Sequence, residues 1–225
     1  AKTIEESVQM LKMAYAEGIR TIVATPHCIL SRGYNKQKVL KSYEEMKERA
    51  RDIGTDGIEL LLGNEIFYMD GVIEALTKHE ISALANTRLV LIEFSTSESY
   101  KRMYHAIRLL IESGYSPVIA HVERYKALSN EENLKEIKKL GCYLQMNTSS
   151  IMTSRFHSEG RTYRSWIQSG YIDILATDMH NNKRRPPYME KALPYLKKAG
   201  ISEQQILQLT TVNPIKLLGG TYEPK

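Results

Sequence analysis

The sequence contains no run of eighteen apolar residues, which excludes a transmembrane helix of ordinary length. Its opening, "AKTIEESVQM", is charged and amphipathic, so no secretory leader pattern is read there. Cysteine is scarce. Cys28 and Cys142 are isolated and form neither a metal-binding nor a redox pair. A reduced cytoplasmic protein is the expectation. The positions six residues beyond them are Tyr34 and Thr148, not arginine, which rules out a cysteine-nucleophile anion loop of that spacing. No low-complexity segment or Pro/Gly-rich linker divides the chain, so residues 1–225 are expected to form a single domain. The net charge of +5 is modest: it suits acidic ligands and argues weakly for nucleic acid.

What is present is a repeated grammar: a helical stretch, a glycine, then an apolar strand that ends in polar residues. It reads "AEGIRTIVATPH", "ESGYSPVIAHVER", "KLGCYLQMN" and "QSGYIDILATDMH". Glycine suits the left-handed position that ends a helix. Strands this apolar are buried on both faces and, alternating with helices, predict a parallel sheet. "IELLLGNEIF" and "RLVLIEFS" bring the strand count to six. Capping-box spacing at Thr3/Glu6, Ser129/Glu132 and Ser202/Gln205 predicts helix starts, and residues 99–113 have helical periodicity. Residues 147–162 read as a long functional loop with a short helix. The first helix begins at Thr3 with no strand before it, so the repeat leads us to expect that an N-terminal strand is missing.

The strand ends deliver a chemical set: His27, Glu65, Glu93, His121 (then Glu123 and Arg124), Asn147, and Asp178 with His180. In parallel barrels these ends share one face. Three histidines and three carboxylates there are costly to bury unpaired, and divalent cations remove that cost. An oxygen and nitrogen set without thiolate suits manganese, iron or zinc. Asp178 and His180, two apart on an extended segment, point the same way. Each piece alone has an ordinary reading as a satisfied polar residue. His79, His105 and His157 read as plain surface or core histidines, Cys28 as an inert neighbour, "NKRRPP" as a basic turn, and the tyrosines as packing and rim residues.

Together, "GIRTIVATPH", "LLGNEI", "LVLIEFS", "PVIAHVERY", the Q-M-N strand end, "ATDMHN", "RPPYM" and "TVNPIKLL" resemble the polymerase-and-histidinol-phosphatase (PHP) superfamily. More closely, they resemble its bacterial branch of manganese-dependent protein-tyrosine phosphatases from capsule and exopolysaccharide gene clusters. The resemblance implies an α/β fold: a distorted parallel βα barrel of seven strands, with the first strand expected to be missing here. It implies Mn2+ as cofactor, up to three divalent ions in the complete enzyme, with Fe or Zn as alternatives. His27, Glu65, Glu93, His121, Asp178 and His180 fall on family ligand positions, and Arg124 and Arg185 on arginines expected to bind the substrate phosphate. The family's His-x-His pair and Asp-Asp-Gly are not in this sequence. The implied substrate is phosphotyrosine on a partner bacterial tyrosine kinase, with oligomerisation open. Two other readings remain at this point: a small-molecule phosphatase of the histidinol-phosphate type, and a non-catalytic truncated module.

Overall fold

A computed structural model describes residues 1–152 and 158–222. Among the described residues, six strand segments deliver the sheet, two of them interrupted. The first segment is β1 (Thr21–Ala24) and β2 (His27–Cys28); the second is β3 (Glu59–Leu62) and β4 (Glu65–Phe67). They are followed by β5 (Leu89–Glu93), β6 (Ser116–Ile119), β7 (Tyr143–Asn147) and β8 (Ile174–Ala176). All pairings are parallel, in the order β2-β4-β5-β6-β7-β8, with β1 beside β3. The predicted α/β class and the six strands are therefore present.

The interruptions have local causes. Pro26 has no N–H to give the ladder. Its carbonyl still accepts from Glu65 N at 3.2 Å and from the Asn64 side chain at 3.1 Å. At Gly63 a Cβ would lie 2.5 Å from Leu84 Cδ2 and 3.0 Å from Leu84 Cα, so any other residue requires Leu84 to move.

Helices α1 (Ile4–Ala16), α2 (Lys36–Arg51), α3 (Val72–Thr77), α4 (Tyr100–Glu112) and α5 (Glu131–Lys139) connect the strands. The short α6 (Thr148–Ile151), then α7 (Ser158–Gln168), α8 (Leu193–Lys198), α9 (Glu203–Leu207) and α10 (Asn213–Leu217) complete the chain. Among the described residues, no helix is long and apolar enough to cross a membrane. Thr3 and Ser202 cap as their spacing predicts, and Ser99 caps the helix of the periodic stretch. Ser129 does not: α5 is capped by Asn130, whose side chain accepts from Glu132 N at 3.0 Å, while the Ser129 hydroxyl donates to Lys126 O. Asparagine and serine are near-equal caps, and the adjacent pair allowed the helix to begin one residue later. The stretch read as a loop over 147–162 holds α6 and the start of α7; His157 lies outside the described residues.

Alternation along the strands sorts their side chains into two sets. Val90, Ile92, Ile119, Leu144 and Met146 face the helices in the main core, together with Cys28 and Ile66. Leu89, Leu91, Val118, Tyr143 and Ile174 face the other way and meet Val23 in one cluster with Leu84, Leu217 and Leu218. Val23 and Ile174 come from opposite ends of the strand order, so the sheet curls and these residues fill its concave side. The same concave positions read Leu89–Leu91–Glu93 and Tyr143–Gln145–Asn147 along their strands. The floor is apolar, and the C-terminal strand ends above it are polar.

Candidate metal centre

Glu65 is the pivot of the site. It is buried on β4, and its two oxygens face different imidazoles. His121 Nε2 lies 2.9 Å from Oε1, and His27 Nδ1 lies 3.1 Å from Oε2. Glu93 closes the group, 3.4 Å from His121 Nε2 and 3.8 Å from His27 Nδ1. Ligand atoms of His27, Glu65 and Glu93 all lie within 4.8 Å of one another. His121 and Glu65 are buried, Glu93 is half-buried and His27 is exposed, so the cluster opens outward to solvent.

The donor set fits a divalent cation. Imidazole nitrogens and carboxylate oxygens converge without thiolate, as manganese, iron or zinc prefer. Cys28 points to the opposite side, into the apolar core. Without an ion, protons do the neutralising. Burial lowers the His121 pKa, but its hydrogen bonds to Glu65 and Glu93 outweigh this and hold it at about 9. Burial raises the Glu65 carboxyl, and the two histidines more than reverse this, to about 2. The hydrogen bond to Glu65 likewise holds His27 above its ordinary value.

His121 reaches this cluster through an unusual backbone. Inward-facing Val118 would place Ala120 inward and His121 outward. A left-handed conformation at His121 (φ 34°, ψ 56°) reverses the alternation. Non-glycine residues held there cost about 1–3 kcal/mol. Behind the ring, Tyr125 is buried, and its oxygen lies 3.4 Å from His121 Nδ1 and accepts from Phe94 N at 3.1 Å.

Asp178 and His180 arrive by a different route from the one expected. The strand ends at Ala176 and Asp178 is left-handed (φ 48°), so the pair sits on a turn and not on an extended segment. His180 Nε2 lies 3.4 Å from His27 Nε2, which joins it to the cluster edge. Asp178 Oδ2 is occupied by three donors: Asn147 Nδ2 at 2.7 Å, Arg124 Nη2 at 3.0 Å, and Arg185 Nη2. Arg185 is brought there by its turn. Asn181 Oδ1 accepts from the backbone of Lys183, Arg184 and Arg185, and His180 N donates to Arg185 O at 2.9 Å. The basic turn therefore splits: Lys183 and Arg184 face solvent and Arg185 faces the site. His79 and His105 are exposed and away from this set. Glu123 is buried. Its Oε1 accepts from Asn147 N and Ser150 Oγ, while Oε2 has no hydrogen-bond partner among the described residues.

Sequence reasoning passed over Gln145 and Tyr125, which contact His121 directly. The signal for Gln145 was available: a glutamine inside an apolar strand, two residues before Asn147 and so on the same face.

Residues 1–219 match the family model for capsular polysaccharide synthesis, CpsB/CapC. The tyrosine-protein phosphatase CpsB of Streptococcus pneumoniae is 34% identical over 227 residues, covering 96% of this chain and 91% of that protein. A chain from the crystal structures of YwqE from Bacillus subtilis and CpsB from Streptococcus pneumoniae, described as unique metal-dependent tyrosine phosphatases, superposes with a TM-score of 0.85. It does so at 26% identity, over 100% of this chain and 91% of its own. A mutant organophosphorus hydrolase from Deinococcus radiodurans shares the fold alone, with a TM-score of 0.63 at 14% identity over 96% of this chain and 84% of its own.

Proposed function

We infer that this chain, which belongs to the CpsB/CapC family of capsular polysaccharide synthesis, is a metal-dependent tyrosine-protein phosphatase. The observation that carries the reading is local: two guanidinium groups converge on one anionic oxygen beside a cluster of histidines and glutamates. We assign His27, Glu65, Glu93, His121, Asp178 and His180 as the ligand set and Mn2+ as the resident ion. We take residues 1–225 as one catalytic domain, built on the distorted βα barrel of the PHP type. The substrate we assign is phosphotyrosine on a partner bacterial tyrosine kinase, with this chain acting in the cytoplasm to regulate capsular or exopolysaccharide synthesis.

Bound divalent ions supply a water acidified toward neutral pH and positive charge against the phosphoryl oxygens. The chain's own residues do the rest. Arg124 and Arg185 bind the phosphoryl group, for which planar guanidinium forks are suited. Asp178 is their partner when phosphate is absent, which keeps both forks aimed inward. The phenolate of tyrosine leaves with a parent pKa of about 10, so no strong general acid is required of the chain.

The test is phosphate release from a phosphotyrosine peptide by Mn2+-loaded protein, with histidinol phosphate as comparison. Hydrolysis of the peptide that stops on chelation supports the reading. Hydrolysis that survives thorough chelation, or a preference for histidinol phosphate, overturns it.

A further inference from the structure

We propose that Gln145 and Asn147 form a one-way amide relay that positions His121 and Asp178, the ligand-bearing ends of the strands on either side of β7. The proposal rests on the ligand assignment above. Both amides lie on the concave face of β7, two residues apart, and both are buried (6% and 1% exposed). The backbone N–H of His121 donates to Gln145 Oε1 at 2.8 Å. Gln145 Nε2 donates to Asn147 Oδ1 at 2.9 Å. Asn147 Nδ2 donates to Asp178 Oδ2 at 2.7 Å.

The two ends fix the direction of the relay. A backbone N–H can only donate and an ionised carboxylate can only accept. Each amide therefore has one permitted orientation, and flipping either would set donor against donor or acceptor against acceptor. Asn147 is also clamped from behind, its backbone N–H donating to Glu123 Oε1 at 3.2 Å.

The relay acts where the sheet cannot. His121 lies beyond the last paired residue of β6, and Asp178 beyond that of β8. Both are left-handed, at φ 34° and 48°, a region that non-glycine residues seldom occupy. Side-chain bonds, not ladder bonds, hold them in place. The other two donors to Asp178 Oδ2 are Arg124 and Arg185. Once those guanidinium groups turn to a phosphate, Asn147 is the donor that stays, and it keeps the carboxylate from rotating. Gln145 and Asn147 are thus positioning residues, acting through the groups they hold.

The test uses the full chain and the near-isosteric variants Gln145→Met and Asn147→Leu, which remove the amides. Mn2+ binding is read by calorimetry. Each variant should lose roughly tenfold or more in affinity, the scale of outer-shell partners. The double variant should lose no more than the worse single one, because a chain broken once is already broken. Wild-type affinity in both variants, or losses that multiply, would overturn the relay. A second measurement needs neither metal nor activity. In metal-free 15N-labelled wild type, the His121 backbone amide and the Asn147 side-chain amide should exchange slowly with solvent, and Gln145→Met should speed both. Fast exchange in the wild type refutes the relay even if the variants fail to fold. A wild type that takes up no Mn2+ would defeat the ligand assignment, while the exchange rates would still decide the relay.

Discussion

On the ligand assignment proposed above, a proton and a metal ion compete for the His121 ring. Its pKa of about 9 in the ion-free protein lies above the ordinary 6.5, so at neutral pH the ring is protonated. The sign follows. This group contributes stability that is full below about 6.5 and is lost as pH rises through about 9. An ion needs the neutral ring, so binding must expel the proton. Mn2+ affinity should therefore climb between pH 6.5 and 9 and then level off, with proton release visible as buffer-dependent heat in calorimetry. A flat profile across that window would show that His121 is not a ligand. The arginines should behave oppositely. Guanidinium offers no lone pair, so Arg124→Ala and Arg185→Ala should each lower kcat by about 10²-fold, the scale for losing one transition-state charge contact. Metal content by elemental analysis should stay near wild type, and equal loss of metal would show a different role. The thiols are inert by placement. Burial pushes Cys28 to about 11 and Cys142 to about 12. Iodoacetamide at pH 7.5 (about one unit below a free thiol's pKa) should leave the folded protein unlabelled by mass spectrometry and fully active. Among the candidate site residues, His27, Glu65, Glu93, His121 and Asp178 were legible in sequence because each follows an apolar run. Their backbone was not: nothing in "IAHVER" announces that His121 turns left-handed to face inward.

Among the elements, the strands were readable because their apolar runs are bounded by glycine and polar residues. All four glycines of the repeat, Gly18, Gly114, Gly141 and Gly170, have left-handed φ between 73° and 91°. The breaks within the first two strands were harder to see. "LLLGNE" looks like one strand, and only the approach of Leu84 shows why glycine sits in it. Gly63→Ala should cost about 1–3 kcal/mol through overpacking, read as a lower denaturation midpoint at unchanged m. An unaltered midpoint would mean that Leu84 yields at little cost. The caps show how short-range signals go astray. Ser129/Glu132 has the right spacing, but Asn130 beside it caps equally well, and sequence alone does not choose between them. The turn at Asp178 escaped for a related reason, since an apolar run followed by "TDMH" reads as continued strand until its dihedrals are known.

For the molecule as a whole, convergence is the property that sequence order conceals and topology supplies. His27 and His180 are 153 residues apart and their nitrogens lie 3.4 Å apart. That proximity was inferable only by assuming that parallel strands share one open end. Because the cluster draws on β2, β4, β5 and the ends of β6 and β8, an ion bound there ties distant segments together and stabilises the folded state by mass action. At a free Mn2+ concentration a hundred times Kd the gain is about 2.7 kcal/mol for one site. The thermal midpoint should rise with Mn2+ and fall back on chelation. A midpoint indifferent to both would show that the ion is not held by the folded site.

The apolar floor beneath that site has a consequence for biosynthesis. Leu217 and Leu218 fill the concave side together with Val23, yet they are translated after every strand of the sheet. Domains emerge from the ribosome N-terminal first, at about 5–20 residues per second. A nascent chain that has made all six strands but not Leu217 and Leu218 should leave the concave side of the sheet uncovered, so a protease should cut a stalled chain ending before α10 more readily than the full chain.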